Sequence, residues 1–146
     1  IKKRFDIVST LEVAEHLPKE RGESFVEDLT RLSDVILFSA AIPGQGGTNH
    51  VNEQWQSYWR ELFRRRGFSC FDIIRPHIWG DNRVDICYRQ NTFLYVKSDR
   101  IYKYPELMST VVSPGFREEI PTDIVHPALF VFKLQQAIKR LSQVHE

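Results

Sequence analysis

Two apolar runs near the start of the chain constrain its fold more than any other feature. Phe5–Leu11 is rich in β-branched residues, and Asp34–Ala40 is apolar through its centre. Runs of this kind are typical of parallel strands that are covered on both faces. Between them, apolar residues recur at helical spacing, at Phe25, Val26, Leu29 and Leu32. A strand, a helix and a second strand in this order predict an open α/β sheet.

The middle of the chain extends this pattern. A second helix is predicted after Asn52, its expected cap, and before Gly67, its expected C-terminal glycine. The apolar face of this helix consists of Trp55, Tyr58, Trp59, Leu62 and Phe63. Two further strands are predicted at Phe68–Arg75 and Thr92–Lys97, with a long loop between them. The expected order is therefore β-α-β-α-β-β, with an antiparallel strand near one edge.

The last third of the chain is less regular. We expect residues 1–98 to form the sheet domain and residues 99–146 to form an extension that ends in a helix, Ala128–Val144. The apolar positions of that helix are Phe130, Leu134, Ala137, Ile138 and Leu141.

Composition narrows the functional classes. The 146 residues carry a net charge of +1, which argues against a nucleic-acid substrate or an anionic membrane as partner. The dense basic run, Arg64–Arg66, closes the second helix, where cations suit the helix dipole, and is interpreted as a solvated helix end. No apolar run is long enough to span a membrane, no secretory leader is visible, and Cys70 and Cys87 have neither disulfide-framework nor metal-site spacing. A cytoplasmic location is the expectation.

Chemistry-bearing residues follow both of the first two strands. Glu12, Glu15 and His16 lie within about one turn after the first strand, and the glycine-rich loop "IPGQGGTNH" follows the second. The loop lacks the G-x-G-x-x-G fingerprint that opens an apolar helix, which disfavours a nucleotide-dependent oxidoreductase. A flexible active-site loop is the preferred interpretation.

The segments "FDIVSTLEVAEHL", "VILFSAAIPGQGGTNHVNEQW", "GF" and "YRQNTFLYV" resemble the second half of a class I S-adenosylmethionine-dependent methyltransferase. The resemblance covers about residues 4 to 97, and the E-V-x-E-H-L step is its most specific part. It implies a Rossmann-like methyltransferase sheet of seven strands, of which this chain supplies the last four, β4-α-β5-α-β6-β7, plus a C-terminal helical extension. The first three strands, the glycine-rich cofactor loop and the ribose-binding acidic residue are absent. We therefore expect the isolated chain to be inactive, and a missing N-terminal half or another chain to pair along Phe5–Leu11.

The resemblance also implies roles for individual residues. Thr10, Leu11 and Glu12 lie at the carboxyl end of the strand nearest to the cofactor, S-adenosylmethionine. His16 or His50 is the expected catalytic base, because an acceptor hydroxyl or amine must lose a proton.

A metal site is a further expectation drawn from the resemblance. In the small-RNA 2′-O-methyltransferases and the ubiquinone-pathway O-methyltransferases, an E-x-x-E-H step binds a divalent metal, and the RNA enzymes add a later histidine. The matching residues here are Glu12, Glu15, His16 and His50, which would suit Mg²⁺ or Mn²⁺. The alternative is that the cluster caps the following helix and orders the cofactor pocket without a metal.

The leading hypothesis is therefore methyl transfer to an oxygen or nitrogen of a small molecule or sugar, with this chain as a partial domain. The alternative is a non-catalytic binding or assembly module derived from a methyltransferase half-domain, whose sheet edge pairs with a partner.

Overall fold

The fold is a mixed α/β structure built on one four-stranded sheet, seen in a computed structural model that describes residues 3–110 and 123–143. The strands are β1 (Val8–Leu11), β2 (Val35–Ser39), β3 (Phe68–Phe71) and β4 (Phe93–Lys97). Their spatial order is β1-β2-β4-β3. β1 and β2 are parallel, whereas β4 runs antiparallel to both of its neighbours. The last strand is thus inserted between the second and the third.

Helices connect the strands and extend the chain. The two crossover helices are α1 (Gly22–Leu32) and α2 (Gln56–Arg65). The other helices are α3 (Arg75–Ile78), α4 (Ile86–Asn91), α5 (Pro105–Thr110) and α6 (Pro127–Gln143). Short 3₁₀ turns cover Ala14–His16, Lys19–Arg21 and Ser98–Lys103.

The core lies on both faces of the sheet because side chains alternate along each strand. In β4, Phe93 and Tyr95 enter the cluster that packs against α1 and α2, and Val96 enters the cluster on the other face. The first cluster is aromatic-rich, with Phe63 stacked on Tyr95 at a ring-centroid distance of 4.0 Å. Leu107 of α5 belongs to the second cluster. β2 is apolar from Val35 to Phe38, which agrees with the burial of the strand from both faces of the sheet.

The predicted elements are present, with shorter bounds and some local differences. β3 ends at Phe71 rather than Arg75, and the predicted long loop after it contains α3 and α4. Asn52 does not cap α2, which begins at Gln56 after Trp55; Trp55 supplies no side-chain cap, and the Ser57 N–H in the first turn donates instead to Asp123 Oδ1 at 2.7 Å. Gly67 does follow the helix in the left-handed conformation, with φ of 75°.

The basic run at the end of α2 is a solvated helix end. Arg64 and Arg65 both pair with Glu61 on the same helix, and Arg66 pairs with Glu27 of α1. Each of the three guanidinium groups thus pairs with a carboxylate of the chain itself, Glu61 for two of them and Glu27 for the third.

β1 is the outer strand on one side of the sheet. Among the described residues, no strand pairs with its other edge. Phe5 and Ile7, which lead into it, are 45% and 54% exposed. An apolar strand without Lys or Pro at such an edge leaves unpaired backbone groups that favour the addition of another strand.

The apolar face predicted for the last helix is exposed rather than buried. Phe130 is 61% and Leu141 is 65% exposed, while Leu129, on the other side of α6, is buried. The helical spacing identified the helix correctly, but spacing alone cannot tell which face meets the body of the protein. No helix in the described part of the chain has the length and apolarity needed to cross a membrane.

Candidate functional site

The candidate site begins where β1 ends and the chain bends sharply. Glu12 follows the strand with a φ of 53°, a left-handed conformation that is uncommon for a residue with a side chain. Its backbone N–H donates to both the carbonyl and the hydroxyl of Ser39, each at 3.0 Å. The bend is therefore fixed against the end of β2, and it directs the chain into the 3₁₀ turn Ala14–His16. Strain held by neighbouring contacts is a frequent property of functional sites.

That turn is attached to the loop after β2 by two backbone hydrogen bonds. The carbonyl of Glu15 accepts from the N–H groups of Val51 at 2.9 Å and Asn52 at 3.0 Å. These bonds place the preceding residue, His50, against the turn. His50 Nε2 lies 4.0 Å from Glu15 Oε1, and the rings of His16 and His50 meet edge to face at 4.9 Å. Residues far apart in the sequence are thus brought to one place by the parallel pairing of β1 and β2.

Glu15, His16 and His50 could together hold a metal ion. Each of these residues offers one potential ligand atom, and the three atoms lie within 4.8 Å of one another. Among the described residues, this is the group of histidine and carboxylate side chains that meets this distance. Glu15 is fully buried, and neither of its carboxylate oxygens has a hydrogen-bond partner. A buried carboxylate without a donor is unfavourable unless a cation or a proton satisfies it. The donor set, one carboxylate and two imidazoles, therefore fits a divalent ion.

The electrostatics of Glu15 agree with this geometry. Burial raises the pKa of its carboxyl group above the ordinary value, and the nearby charge of Glu12 adds to the increase. The backbone N–H of Glu15 itself acts in the opposite direction, and His50 and His16 do so less strongly. Burial of the carboxylate outweighs these contributions, so the pKa is raised overall.

Glu53 holds His50 in place. Its Oε1 lies 2.9 Å from His50 Nδ1. The same carboxylate accepts from the backbone N–H groups of Gly44 at 2.8 Å and Gly46 at 2.7 Å. Partial burial raises the pKa of Glu53, but the hydrogen bonds from His50 and from the two glycines outweigh it, so the pKa is lowered overall. Glu53 is therefore an anion that connects the glycine loop with His50.

The carboxylate of Glu12 instead accepts hydrogen bonds from two side-chain amides. Its Oε2 accepts from Gln45 Nε2 at 2.8 Å, and its Oε1 accepts from Asn91 Nδ2 at 3.2 Å. Asn91 also donates to Gln45 Oε1 at 2.8 Å. Glu12 thus lies beside the metal-capable group, close enough to influence Glu15, without belonging to that group.

The other predicted cofactor residues lie at the same end of the sheet. Thr10 pairs with Phe38 and Leu11 pairs with Ser39 at the carboxyl ends of the parallel strands. Thr10 is buried, and its hydroxyl has no hydrogen-bond partner. The structure therefore places Thr10, Leu11 and Glu12 at the end of β1 from which the turn with Glu15 and His16 continues.

Sequence reasoning missed Glu53 and the amide group formed by Gln45, Gln90 and Asn91. A carboxylate three residues after a histidine, as in "HVNE", was an available signal for Glu53. The amides offered none, because Gln45 and Asn91 meet only through the tertiary fold.

Comparisons with known proteins do not assign a family. No protein-family model, no curated protein and no solved structure matches this chain. The fold and the site's geometry thus carry the functional argument.

Proposed function

We propose that this chain is the C-terminal part of an S-adenosylmethionine-dependent methyltransferase that acts on an oxygen or nitrogen of a small molecule or sugar. The observation that carries the proposal is the convergence of Glu15, His16 and His50 at the carboxyl ends of two adjacent parallel strands. Open α/β sheets bind their ligands at this end. The antiparallel strand near one edge, which the order of elements predicts, is compatible with the proposal.

The open edge of β1 supports the partial-domain aspect of the proposal. A sheet of the proposed kind continues beyond β1 with further parallel strands, and β1 offers an edge with which no strand pairs in the described part of the chain. The cofactor-binding loops of such a sheet would come from those strands. Thr10, Leu11 and Glu12 would form one wall of the cofactor pocket.

S-adenosylmethionine, when bound, supplies an electrophilic methyl group. With the cofactor and an acceptor bound, the methyl carbon would pass from sulfur to the acceptor atom, with a sulfur–carbon bond broken and an oxygen–carbon or nitrogen–carbon bond formed. The proton of the acceptor must pass to a base, and the exposed imidazole of His16 or the Nε2 atom of His50 can take it. The protein otherwise aligns the acceptor and excludes water.

A divalent ion, Mg²⁺ or Mn²⁺, would be held by Glu15, His16 and His50. Such an ion would orient and polarise an acceptor oxygen. A histidine that binds the ion through its free nitrogen is not available as a base at the same time. Ligand and base are thus alternative roles for His16 and His50.

Calorimetry with S-adenosylmethionine tests the proposal. The 146-residue chain should bind the cofactor weakly or not at all, and any longer product of the encoding gene should bind it one to one. Tight binding by the 146-residue chain would refute the partial-domain aspect, and absence of cofactor binding by the longer product would refute the methyltransferase proposal.

Mutagenesis of the longer product tests the role of His16. His16→Ala should reduce methyl transfer by a larger factor than it reduces folding stability.

An assembly module without catalysis is the second candidate, and the unpaired edge of β1 favours it. In that case a second chain would add a strand beside Val8–Leu11. Replacing Ser9, which is exposed on β1, with proline should then abolish assembly, as measured by light scattering after size-exclusion chromatography. Assembly that persists in this variant would exclude pairing along β1.

A further inference from the structure

The glycine-rich loop after β2 is followed by a carboxylate, Glu53, that accepts three hydrogen bonds. Glu53 lies at the end of this loop, and its two oxygens receive the N–H groups of Gly44 and Gly46 together with His50 Nδ1. Gly44 and Gly46 have φ values of 81° and 70°. Both are in the left-handed region, where glycine is favoured. The loop conformation thus aims two backbone amides at the same side chain that holds the histidine.

The contact with Glu53 determines which nitrogen of His50 is available. An ionised carboxylate can only accept hydrogen bonds, so His50 must donate through Nδ1. The proton of a neutral His50 then resides on Nδ1, and Nε2 keeps its lone pair. Nε2 is the atom that lies 4.0 Å from the buried Glu15 carboxylate.

We infer that Glu53 is a positioning residue that sets the tautomer of His50 and couples the glycine loop to the Glu15–His16–His50 group. This inference rests on the proposed function, since it concerns the same group, but it assigns a role to a residue outside it. Glu53 acts through His50 and does not meet the acceptor itself.

Through Glu53, a cation bound at Glu15, His16 and His50 affects the glycine-rich loop. When Nε2 of an imidazole binds a cation, the N–H on the other ring nitrogen becomes a stronger donor, and a carboxylate partner holds it more tightly. A cation at the site therefore strengthens the His50–Glu53 hydrogen bond. Because Glu53 also holds Gly44 and Gly46, occupation of the site stabilises the loop conformation. The loop after β2 is thus ordered together with the site.

Glu53→Gln is the test variant, because it keeps the size of the side chain. The amide nitrogen of glutamine can only donate, so it cannot accept a hydrogen bond from the glycine N–H that it faces. One or both of the glycine hydrogen bonds are therefore lost. Glu20→Gln is the matched control, since Glu20 is exposed in the turn Lys19–Arg21, outside the site, and undergoes the same charge change. Glu53→Asp tests rescue, because it retains the charge on a shorter side chain.

Nuclear magnetic resonance of the 146-residue chain gives two readouts without an ion. In the unaltered protein the His50 nitrogen shifts should report the proton on Nδ1, and the Gly44 and Gly46 amides should exchange slowly. In Glu53→Gln the His50 tautomers should mix, and exchange at one or both glycines should accelerate about tenfold or more. Glu20→Gln should leave both readouts unchanged, and Glu53→Asp should recover the tautomer at least in part.

Zinc chloride gives a third readout, because Zn²⁺ binds carboxylate and imidazole ligands and leaves the resonances sharp. Addition of Zn²⁺ should slow exchange at Gly44 and Gly46, and Glu53→Gln should weaken Zn²⁺ binding by about 10- to 100-fold. Unchanged tautomer, exchange and affinity in Glu53→Gln would overturn the inference about Glu53. A protein that binds no Zn²⁺ would overturn the coupling and the ion site, whereas the ion-free readouts would still decide whether Glu53 positions His50.

Discussion

Gly47→Ala should dismantle the candidate site without disturbing the core. A Cβ at position 47 would lie 2.2 Å from His50 Nε2 and 2.4 Å from Cε1. Real Cβ atoms are essentially never found within 3.0 Å of a heavy atom, so the ring must move or rotate. Gly47 does not occupy the left-handed region, so alanine adds no backbone strain of that kind. The three heavy atoms nearest to the added Cβ all belong to the His50 ring, so the change acts first on the imidazole.

The magnitude follows from the contacts of that ring. Movement of the His50 ring breaks its hydrogen bond to Glu53 and removes its contact with Glu15. A hydrogen bond to a charged group contributes about 1.5–3 kcal/mol. For a domain of this size, such a loss lowers Tm by roughly 3–10 °C. The effect on ion binding should be larger, because one of the three proposed ligands is displaced.

Differential scanning calorimetry with and without Mn²⁺ measures both effects. An ion at 100 times its Kd stabilises the folded state by about 2.7 kcal/mol, so Tm of the unaltered protein should rise by roughly 5–10 °C. Gly47→Ala should lose this rise. Gly80→Ala is the matched control, since a Cβ there meets nothing within 4 Å. A Gly47→Ala protein with native His50 resonances and an undiminished response to Mn²⁺ would refute the steric argument.

Three further predictions concern the core, the thiols and the surface. Phe63→Ala should lower the free energy of unfolding by about 3–5 kcal/mol in urea, because Phe63 is fully buried, whereas Phe130→Ala should change it by less than about 1 kcal/mol, because Phe130 is exposed. Burial raises the pKa of Cys70 to about 12 and that of Cys87 to about 11, so both thiols should react slowly with a disulfide reagent at pH 8 and rapidly after denaturation; fast reaction of the native protein would contradict this. Hydrogen bonds from the two arginines on its helix lower the pKa of Glu61 to about 2, so its contribution to stability is present above pH 4.5 and is lost as the pH falls toward 2. Glu61→Gln should therefore be slightly less stable than the unaltered protein at pH 7 and equally stable near pH 2; a difference that persists at pH 2 would contradict the assignment.

The sequence alone determined the elements of the fold and the local part of the site. Strand and helix positions follow from apolar runs and helical spacing, which are local properties, and β1, β2, α1 and α2 appear where these patterns predict them. Glu15 and His16 are neighbours in one turn, so their proximity required no tertiary information. The glycine after α2 was likewise readable, because a left-handed C-terminal residue is a local requirement.

The tertiary structure alone decided what these elements contact. The insertion of β4 between β2 and β3 depends on pairings between distant residues, which no local pattern specifies. Asn91 reaches Glu12 from 79 positions away and diverts its carboxylate from the metal-capable group. Glu53 accepts from Gly44 and Gly46 in a loop where both glycines are left-handed, a conformation that glycine permits but the sequence does not impose. Spacing likewise identified the apolar face of α6. Tertiary contacts, however, decide which side of the helix packs: Leu129 is buried, whereas the predicted apolar face is exposed to solvent. Local propensity fixes the elements, because it acts within a few residues, whereas sites and packed faces require contacts that only the folded chain supplies.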